Sequence, residues 1–462
     1  MRKEVPYKEC CPMRILIEME LEVKIPADRA NVNEIFMAVQ TAMLEARSQA
    51  ATKAIEGYED QIIKTLCGAS GRRAKRGLGG HEEKGQDGKR CRYRTFRRAG
   101  RWSEERTLYG GDGIVVSFRP RTVECVGCGR RVTPILEALE LEDRQRKTDE
   151  LLLRVTQSVA ETSYRRGSDQ LEVFGEVPIP KSTAHRMVAE VDIPTSKSEE
   201  GTILGADGTG FKRQPGKKGE VRFVLEIKGN GRLHPIGVWA GTSWEEISKE
   251  VKERQAGQAS LFLSDGERAL EKWMGKLAQE QSRCHWHFSR DLSYALWQDG
   301  VSKEQRDDEK ENTRRLLTIE LPEEDMEELS PRKRLELGRR IESAEAELAD
   351  LEQAFLEKGY DRAATYVGNA KDRLFGYLRT WMATGIACPR ATSIIENLIR
   401  ELVRRLKKIG WNWSDAGAAR MGRIVMVRRY DQEKWEEYWK RRMNLQGRCT
   451  ARLTRCEYKV CA

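Results

Sequence analysis

Residues 201–211, GTILGADGTGF, contain an apolar run between glycines, with Asp207 at the end of that run. Two similar runs follow, EVRFVLEIKG at 220–229 and RLHPIGVWAG at 232–241. Apolar runs of this length between glycine-containing or charged turns are typical of β-strands. The stretch therefore predicts three consecutive strands that form a meander.

Two helices and two further strands are predicted after the meander. Helical patterns cover about 243–256 and 266–280, an apolar strand (ASLFL) lies between them at 259–263, and a strand or turn follows at 283–286. The order β-β-β-α-β-α-β is that of RNase H-like folds. We therefore predict an α/β fold, namely an RNase H-like mixed sheet with helices on both faces, whose first part covers 201–299.

Three acidic residues are candidates for catalysis. Asp207 ends the first predicted strand and Asp265 ends the fourth, in LFLSDGE. Those strands are neighbours in an RNase H-like sheet, so the two side chains should meet. Glu396 adds a carboxylate from a helix predicted between Thr392 and about Ile409. Two-metal phosphoryl transfer needs carboxylates a few ångströms apart, which predicts Asp207, Asp265 and Glu396 as catalytic ligands of Mg²⁺ or Mn²⁺.

Each of these acids also has an ordinary structural interpretation. Asp-Gly after an apolar strand is a common turn, which applies to both Asp207 and Asp265. Ser393 and Glu396 have the spacing of a capping box, in which the glutamate serves only its own helix. Glu401 lies about 140° further around that helix and cannot point at the same metal, whereas Glu396 is nearer the apolar face.

A charged helical region separates Asp265 from Glu396. Residues 300–388 include RKRLELGRRIESAEAELADLEQAF, whose apolar positions recur at intervals of three and four. We interpret this region as an all-α insertion that contains a helical hairpin. The catalytic core then resumes with the glutamate helix at 389–430, and 431–462 form a C-terminal tail.

The N-terminal third divides into smaller regions. Residues 1–67 are expected to form an α+β element with a strand at 13–25 and a helix at 31–66. Residues 68–101 are rich in glycine and arginine and nearly free of aliphatic residues, which predicts a basic linker.

Residues 102–140 are predicted to form a ribbon-like module of short strands around Cys125-x-x-Cys128. Two cysteines at this spacing resemble half of a zinc ribbon, in which four ligands enclose one Zn²⁺ ion. The second half is poorly defined, so Zn²⁺ binding and a ribbon that has lost its metal both remain open. The upstream candidates for the missing ligands are His81, Cys91 and Cys67.

Residues 141–195 are predicted to contain two or three short helices that form a helix-turn-helix. In the last helix Val188 would face inward, and four polar residues would face DNA phosphates and base edges. A solvated helix in a connector is the alternative. The four candidate DNA contacts are Lys181, Ser182, His185 and Arg186.

The glutamate helix is strongly basic, and Trp411 and Trp413 follow it. Cations with nearby aromatic rings suit DNA, because charge attracts the backbone and rings stack on bases. Cations also stabilise the negative end of any helix, which is the alternative. The candidate DNA contacts here are Arg400, Arg404 and Lys407.

The bulk composition agrees with a nucleic-acid partner. The 462 residues include 83 Lys and Arg against 73 Asp and Glu, a net charge of +10, which favours a polyanion. The chain has no apolar stretch of 18 residues and no apolar core at its start, so we expect a soluble, intracellular protein and no membrane partner. The eleven scattered cysteines are expected to be reduced thiols.

The sequence resembles the Mutator-superfamily DDE transposases of prokaryotic insertion sequences over roughly 201–425. The motifs that carry the resemblance are GADGTGFK, LFLSDGERAL, CHWHFSRDL and TSIIENLIRELVRRLKKIGWNW. The resemblance implies an RNase H-like domain, an all-α insertion before the glutamate helix, and Mg²⁺-dependent transposition. The spacing of 131 positions from Asp265 to Glu396 (396 minus 265) agrees with such an insertion. Cys284 and His287 fall where the superfamily carries its Cys-x-x-His motif, whose role is open.

The expected function is DNA transposition. The protein would bind the terminal inverted repeats of its element, cut DNA there and join the freed 3′ hydroxyl to target DNA, as a homodimer or higher oligomer in the nucleoid of a prokaryotic cytoplasm. Two alternatives share many of these features. They are an RNase H-like nuclease without strand transfer and a DNA-binding regulator derived from a transposase.

Overall fold

The chain divides into two compact units in a computed structural model. One unit comprises Met1–Ser158 and Arg165–Ala184, and the other comprises Val159–Tyr164 and His185–Ala462. The residues that the structure describes are 13–26, 31–67, 96–102, 104–142, 144–174, 177–198, 202–214, 216–228, 231–322, 324–409, 412–445 and 449–453.

The elements before the five-stranded sheet are short, apart from the first helix. They are α1 (Val32–Cys67), β1 (Phe96–Trp102), β2 (Arg106–Tyr109), β3 (Val115–Phe118), β4 (Arg121–Cys125), β5 (Arg131–Val132), α2 (Pro134–Ala138), α3 (Asp149–Glu161), α4 (Tyr164–Val173) and α5 (Lys181–Ala189).

The long helix α1 organises the first unit, and the predicted helix at 31–66 is confirmed. Its buried residues Ile63 and Cys67 pack with Phe96 of β1 and with Val123 and Cys125 of β4. The strands form a sheet of order β1-β4-β5 and a separate β2-β3 hairpin. The short strands predicted around the two cysteines are therefore confirmed.

Two predictions for the N-terminal region are wrong in part. Residues 13–26 form neither strand nor helix, although 13–25 alternate as a strand would. Alternation alone does not form a strand without a neighbouring strand to supply hydrogen bonds, and most of these side chains are exposed. The predicted basic linker ends earlier than expected because Phe96–Trp102 pair with β4, while 68–95 lie outside the described residues.

The second unit contains a five-stranded sheet with helices around it. Its elements are β6 (Ile203–Arg213), β7 (Lys217–Ile227), β8 (Leu233–Ala240), α6 (Trp244–Arg254), β9 (Ala259–Ser264), α7 (Arg268–Met274), β10 (Ala278–Arg283), α8 (His285–Gln298), α9 (Lys303–Leu316), α10 (Pro331–Glu357), α11 (Asp361–Ala370), α12 (Gly376–Thr384), α13 (Ser393–Val403), α14 (Asp415–Tyr430) and α15 (Gln432–Arg442).

The sheet is mixed, and the chain belongs to the α/β class. Its strand order is β10-β9-β6-β7-β8, with β6, β7 and β8 antiparallel and with β9 and β10 parallel to β6. The predicted element order β-β-β-α-β-α-β is confirmed. The helix predicted at 266–280 is too long, since it ends at Met274 and β10 begins at Ala278. Only Arg283 of the predicted strand or turn at 283–286 belongs to that strand, whose polar sequence AQEQSR hides it from an apolar pattern.

Helices cover both faces of the sheet, as expected. On one face Leu204 and Phe262 pack against α6 and α7 through Trp244 and Leu270. On the other face α13 lies on β6, where a Cβ at Gly205 would be 2.7 Å from Cδ1 of Ile395. A glycine at this point therefore lets the glutamate helix approach the strand closely.

The region 300–388 is helical in its described part, as predicted, and α10 and α11 form the expected hairpin. Its last helix, α12, lies against β10, where Gly376 approaches the backbone of Gln281. The region predicted as a C-terminal tail contains a helix, α15, which is fixed to the unit by the buried Trp435 and Trp439. None of the helices in the described part of the chain is long and apolar enough to cross a membrane.

Candidate functional site

Asp207 lies in the middle of β6 and not at its end. The strand continues to Arg213, and Asp207 is paired with Phe223 of β7. The ordinary-turn interpretation is therefore wrong for this Asp-Gly pair. The end of the strand was predicted too early, at Asp207, because Gly208 and Gly210 interrupt the apolar pattern while the backbone continues as a strand.

Asp265 follows directly after β9, the strand beside β6. The parallel register pairs Gly205 with Leu263, and each aspartate comes two residues later in the chain, Asp207 within β6 and Asp265 just beyond β9. Since side chains alternate between faces, Asp207 and Asp265 point to the face that α13 covers. The sequence correctly predicted that these residues would be brought together.

The environment of Asp207 opposes its charge. Burial, together with the negative charges of Asp265 and Glu267, raises the pKa of Asp207 to about 7, against opposing effects from Gly208 and His287. An influence of Asp265 on this pKa requires the two carboxylates to be close. The site therefore carries two acids that repel each other in a poorly solvated place.

Asp265 also forms a turn, so its structural and functional interpretations are compatible. Its Oδ1 accepts a hydrogen bond from the backbone amide of Glu267 over 3.0 Å, and Gly266 between them has φ +103°. Sequence reasoning missed Glu267, whose Oε1 accepts from Nε1 of Trp244 over 3.1 Å. Only its position two residues after Asp265 could have indicated it.

Glu396 lies in the first turn of α13, directly after Ile395 that packs on Gly205. The capping-box interpretation is wrong. The helix begins after Thr392, whose side chain makes no capping hydrogen bond, so Ser393 is already inside the helix. Oε1 of Glu396 lies 4.0 Å from Nε2 of His287, and the glutamate remains partly exposed.

Cys284, His287 and Thr392 form a buried cluster that we call the helix clamp. The backbone amide of Thr392 donates to Sγ of Cys284 over 3.3 Å, and the Thr392 hydroxyl is 3.2 Å from Nδ1 of His287. The backbone amide of Cys284 donates to the carbonyl of Ser264 over 2.9 Å, immediately before Asp265. The clamp therefore joins the start of the glutamate helix to the strand that precedes Asp265.

Hydrogen bonds within the clamp favour charged forms of its two titratable groups. Burial by itself would raise the pKa of Cys284, but hydrogen bonds from His287 and Thr392 outweigh it and lower the pKa to about 7. Burial opposes the charged form of His287, yet Cys284 raises the pKa of the imidazole. The predicted position of Cys284 and His287, on or just after the fifth strand, is confirmed.

His285, which lies between Cys284 and His287 in the sequence, has a packing role. Its Nε2 donates to the carbonyl of Leu374 over 2.7 Å, and its ring lies edge to face with Phe375 and Tyr377. Burial, with a smaller contribution from Arg390, lowers the pKa of His285 to about 4. The neutral ring therefore attaches α8 to the helical insertion.

No group of three or more His, Cys, Asp or Glu side chains in the described ranges is arranged so that it could hold a metal ion. Cys125 is buried at the end of β4, and Cys128 is exposed in the turn that follows. Cys67 belongs to the same apolar cluster as Cys125, while His81 and Cys91 lie outside the described residues. Zn²⁺ binding by Cys125 and Cys128 stays a prediction.

The predicted recognition helix exists as α5, after α3 and α4. Val188 is buried as expected, and Ala184 is buried with it. The four candidate DNA contacts are all exposed, namely Lys181, Ser182, His185 and Arg186.

The basic end of the glutamate helix divides into exposed and structural residues. Arg400 and Lys407 are exposed. Arg404 forms an ion pair with Glu161 at 2.7 Å. Arg405 is buried and donates to the carbonyl of Val159 over 2.9 Å.

Trp413, predicted to stack on bases, is instead part of the core. It is buried, and the guanidinium of Arg405 lies 4.8 Å from its ring centre. The prediction failed because an exposed and a buried Trp look the same in sequence. Trp411 lies outside the described residues.

Comparison with known proteins finds no family model that matches the sequence and no curated protein with significant similarity to it.

Proposed function

We propose that the protein is a DDE transposase whose second unit has an RNase H-like fold. The observation that carries the proposal is the pair Asp207, in β6, and Asp265, directly after the adjacent parallel strand β9, on the side of the sheet covered by the helix of Glu396. The sheet order, with a three-stranded meander followed by two parallel strands, supports the RNase H-like assignment. The all-helical region between Asp265 and Glu396 agrees with the transposase version of that fold.

The two aspartates suit a divalent metal ion. Burial and mutual repulsion raise the pKa of Asp207, and a cation between the carboxylates would remove that repulsion. Their oxygen atoms are the donors that Mg²⁺ and Mn²⁺ prefer. We assign Asp207 and Asp265 as ligands and Glu396, whose carboxylate lies 4.0 Å from Nε2 of His287, as the third. When bound, the metal would neutralise charge on the scissile phosphate and activate the attacking oxygen.

The protein's own residues would position the substrate. The helix clamp holds the first turn of α13 beside the strand of Asp265, and so limits where the Glu396 carboxylate can lie. Arg400 in α13 and Lys407 in the π-helical segment that continues it (Arg404–Lys408) are exposed cations that can contact DNA phosphates. The exposed side of α5 would bind the terminal inverted repeats, with Lys181 and Arg186 as its cations.

Strand joining separates the transposase from a simple nuclease. Pre-cut DNA ends, taken from inverted repeats that flank the gene, would be incubated with target DNA and Mg²⁺. A transposase joins the 3′ hydroxyl of these ends to the target, whereas a nuclease only shortens them. Joined products that depend on Asp207 support the proposal, and cleavage without joining favours the nuclease.

The regulator is the second candidate, and the exposed polar face of α5 is the observation that favours it. A regulator would bind the inverted repeats through Lys181 and Arg186 and would not cut DNA in the presence of any divalent metal ion. Replacing Lys181 should weaken binding to DNA of every sequence. It should also reduce the salt dependence of DNA binding by the amount that corresponds to about one phosphate contact. Tight binding without cutting would replace the transposase proposal with this one.

A further inference from the structure

Helix α8 carries large aromatic residues on its exposed side. The exposed fractions are 56% for Trp286, 59% for Tyr294 and 60% for Trp297. Arg290 lies between them, with its guanidinium carbon 5.1 Å from the centre of the Trp286 ring. We call these four residues the aromatic stripe. Tryptophan is highly buried on average, so this concentration on one helix is unusual.

The spacing of the stripe places it on one side of the helix. Positions i, i+4, i+8 and i+11 fall within about 80° at 100° per residue, and they span about 16 Å along the axis. The opposite side is buried and supplies the packing of the helix, through Phe288, Leu292 and Leu296. The stripe is therefore a continuous ridge that the fold does not need for its core.

The stripe begins at the carboxylate site. His287, in the same first turn as Trp286, is 4.0 Å from Glu396. The pKa of Arg290 is raised mainly by its hydrogen bond to Asp291, and the charge of Asp265 also raises it. Arg290 is thus near Asp265. A strand held at the carboxylates could continue along this ridge.

We propose that the aromatic stripe binds unpaired nucleotides of the DNA strand that enters the carboxylate site, by stacking their bases on Trp286, Tyr294 and Trp297. This inference rests on the proposed function, because the site defines where the strand lies. Stacking on aromatic rings accepts any base, since every base has a π-face. The ion pair of Arg290 with Asp291, at 2.6 Å, offsets part of its charge, so stacking should dominate over charge attraction.

Unpaired DNA suits the ridge better than a duplex. Bases in a duplex are already stacked on each other, and inserting a side chain between them requires them to unstack, which costs free energy. Single-stranded bases meet no such cost. Arg390, exposed and close enough to His285 to lower the pKa of that ring, adds positive charge near the start of the ridge for the backbone.

The test measures binding of the full chain to a 12-nucleotide single strand and to a duplex of the same sequence, in EDTA so that no cleavage occurs. Stacking contributes roughly 1 to 3 kcal/mol per base, so Trp297→Ala should weaken single-strand binding by roughly 5- to 150-fold. Trp297→Phe should retain most of the affinity, because a ring remains. Leu335→Ala removes a comparably exposed apolar side chain from α10 and serves as the control.

Loss of single-strand affinity in Trp286→Ala and Trp297→Ala, with duplex affinity unchanged and Leu335→Ala like wild type, would support the inference. Unchanged single-strand affinity, or an equal loss for duplex, would overturn it. Dissociation of an oligomer in the Trp variants, measured by sedimentation, would overturn it in favour of contact between copies of the chain. Because the assay needs no cleavage, it can succeed or fail separately from the proposed function.

Discussion

The backbone amide of Thr392 donates a hydrogen bond to Sγ of Cys284 over 3.3 Å, although the two residues are 108 positions apart in the chain. Both are buried. The contact joins the start of the glutamate helix to the end of β10, whose neighbour β9 precedes Asp265. A buried contact of this kind can hold catalytic groups in place without touching the substrate.

We expect the helix clamp to affect cleavage more than DNA binding. Thr392→Val keeps the volume but removes the hydroxyl that lies 3.2 Å from His287. Loss of an outer positioning contact typically costs 10- to 100-fold in activity, so the cleavage rate should fall by about that amount while the Kd for DNA stays within about twofold. Thr392→Ser should restore the rate.

Thr384→Val is the matched control for that variant, because the Thr384 hydroxyl makes local hydrogen bonds, to the carbonyl of Thr380 and from the backbone amide of Ile386, away from the helix clamp. It should cleave like wild type. Full cleavage by Thr392→Val would show that the clamp does not position Glu396.

Asp207→Asn should stabilise the protein at neutral and alkaline pH. The pKa of Asp207 is raised from 3.8 to about 7, so its contribution to stability is fully present below about pH 4 and is lost as the pH rises through 7. Asparagine does not ionise, so the variant does not lose this stability as the pH rises. The variant should therefore match wild type near pH 4 and exceed it at pH 8, by at most about 4 kcal/mol in the free energy of unfolding.

Urea unfolding at several pH values, with and without Mg²⁺, measures this difference. Mg²⁺ should stabilise wild type and not Asp207→Asn, since a ligand that binds only the folded state stabilises it. Glu253→Gln, on the exposed surface of α6, should behave like wild type. A variant that is less stable at pH 8 would contradict the repulsion between the two aspartates.

The ion pair of Glu271 with Arg283 should be essential for folding stability. Both side chains are buried, and Arg373 donates to the same carboxylate over 3.0 Å. Removing one partner leaves a buried charge uncompensated, so Glu271→Gln should lower the free energy of unfolding by about 3 to 5 kcal/mol. Glu245→Gln breaks an exposed pair with Lys249 and should have a much smaller effect, because solvent screens that pair. Equal effects in urea unfolding would rule out this assignment.

Substitutions of Lys407 and Arg405 should have different effects, the first on DNA binding and the second on folding stability. Lys407→Gln should leave the free energy of unfolding unchanged and reduce the salt dependence of DNA binding by about one phosphate contact. Arg405→Gln should destabilise the protein by several kcal/mol, because a buried cation holds the carbonyl of Val159 and packs on Trp413. If Lys407→Gln binds DNA with the wild-type salt dependence, this surface does not contact phosphates.

Much of the second unit could be predicted from sequence because its strands are apolar and bounded by turns. The meander and the apolar β9 were found this way, and Asp207 and Asp265 followed from the strand order. The strand that corresponds to β10 was predicted too late in the chain, at 283–286, because the residues of β10 are polar, and Arg283 is buried only with the help of Glu271. Patterns of hydrophobicity do not record such pairs.

The residue types of the site could be predicted from the sequence, but most of the contacts between those residues could not. Sequence could not show that Thr392 would contact Cys284 and His287, since this depends on tertiary packing of distant segments. The choice of Glu396 over Glu401 stays a prediction, and the Glu401 carboxylate forms an ion pair with Arg404. The buried positions of Arg405 and Trp413 were not foreseen, because basic and aromatic residues near a helix end suit both DNA and packing.

The measurement that tests the central claim most directly is Mg²⁺-dependent cleavage of DNA that carries the element's ends. Wild type would be compared with Asp207→Asn, Asp265→Asn and Glu396→Gln, and with Glu253→Gln as the control carboxylate. The account predicts that wild type and the control cut, while each of the three variants binds DNA normally and cuts at least about 100-fold more slowly. Cleavage at the wild-type rate by Asp207→Asn would contradict the assignment of the site.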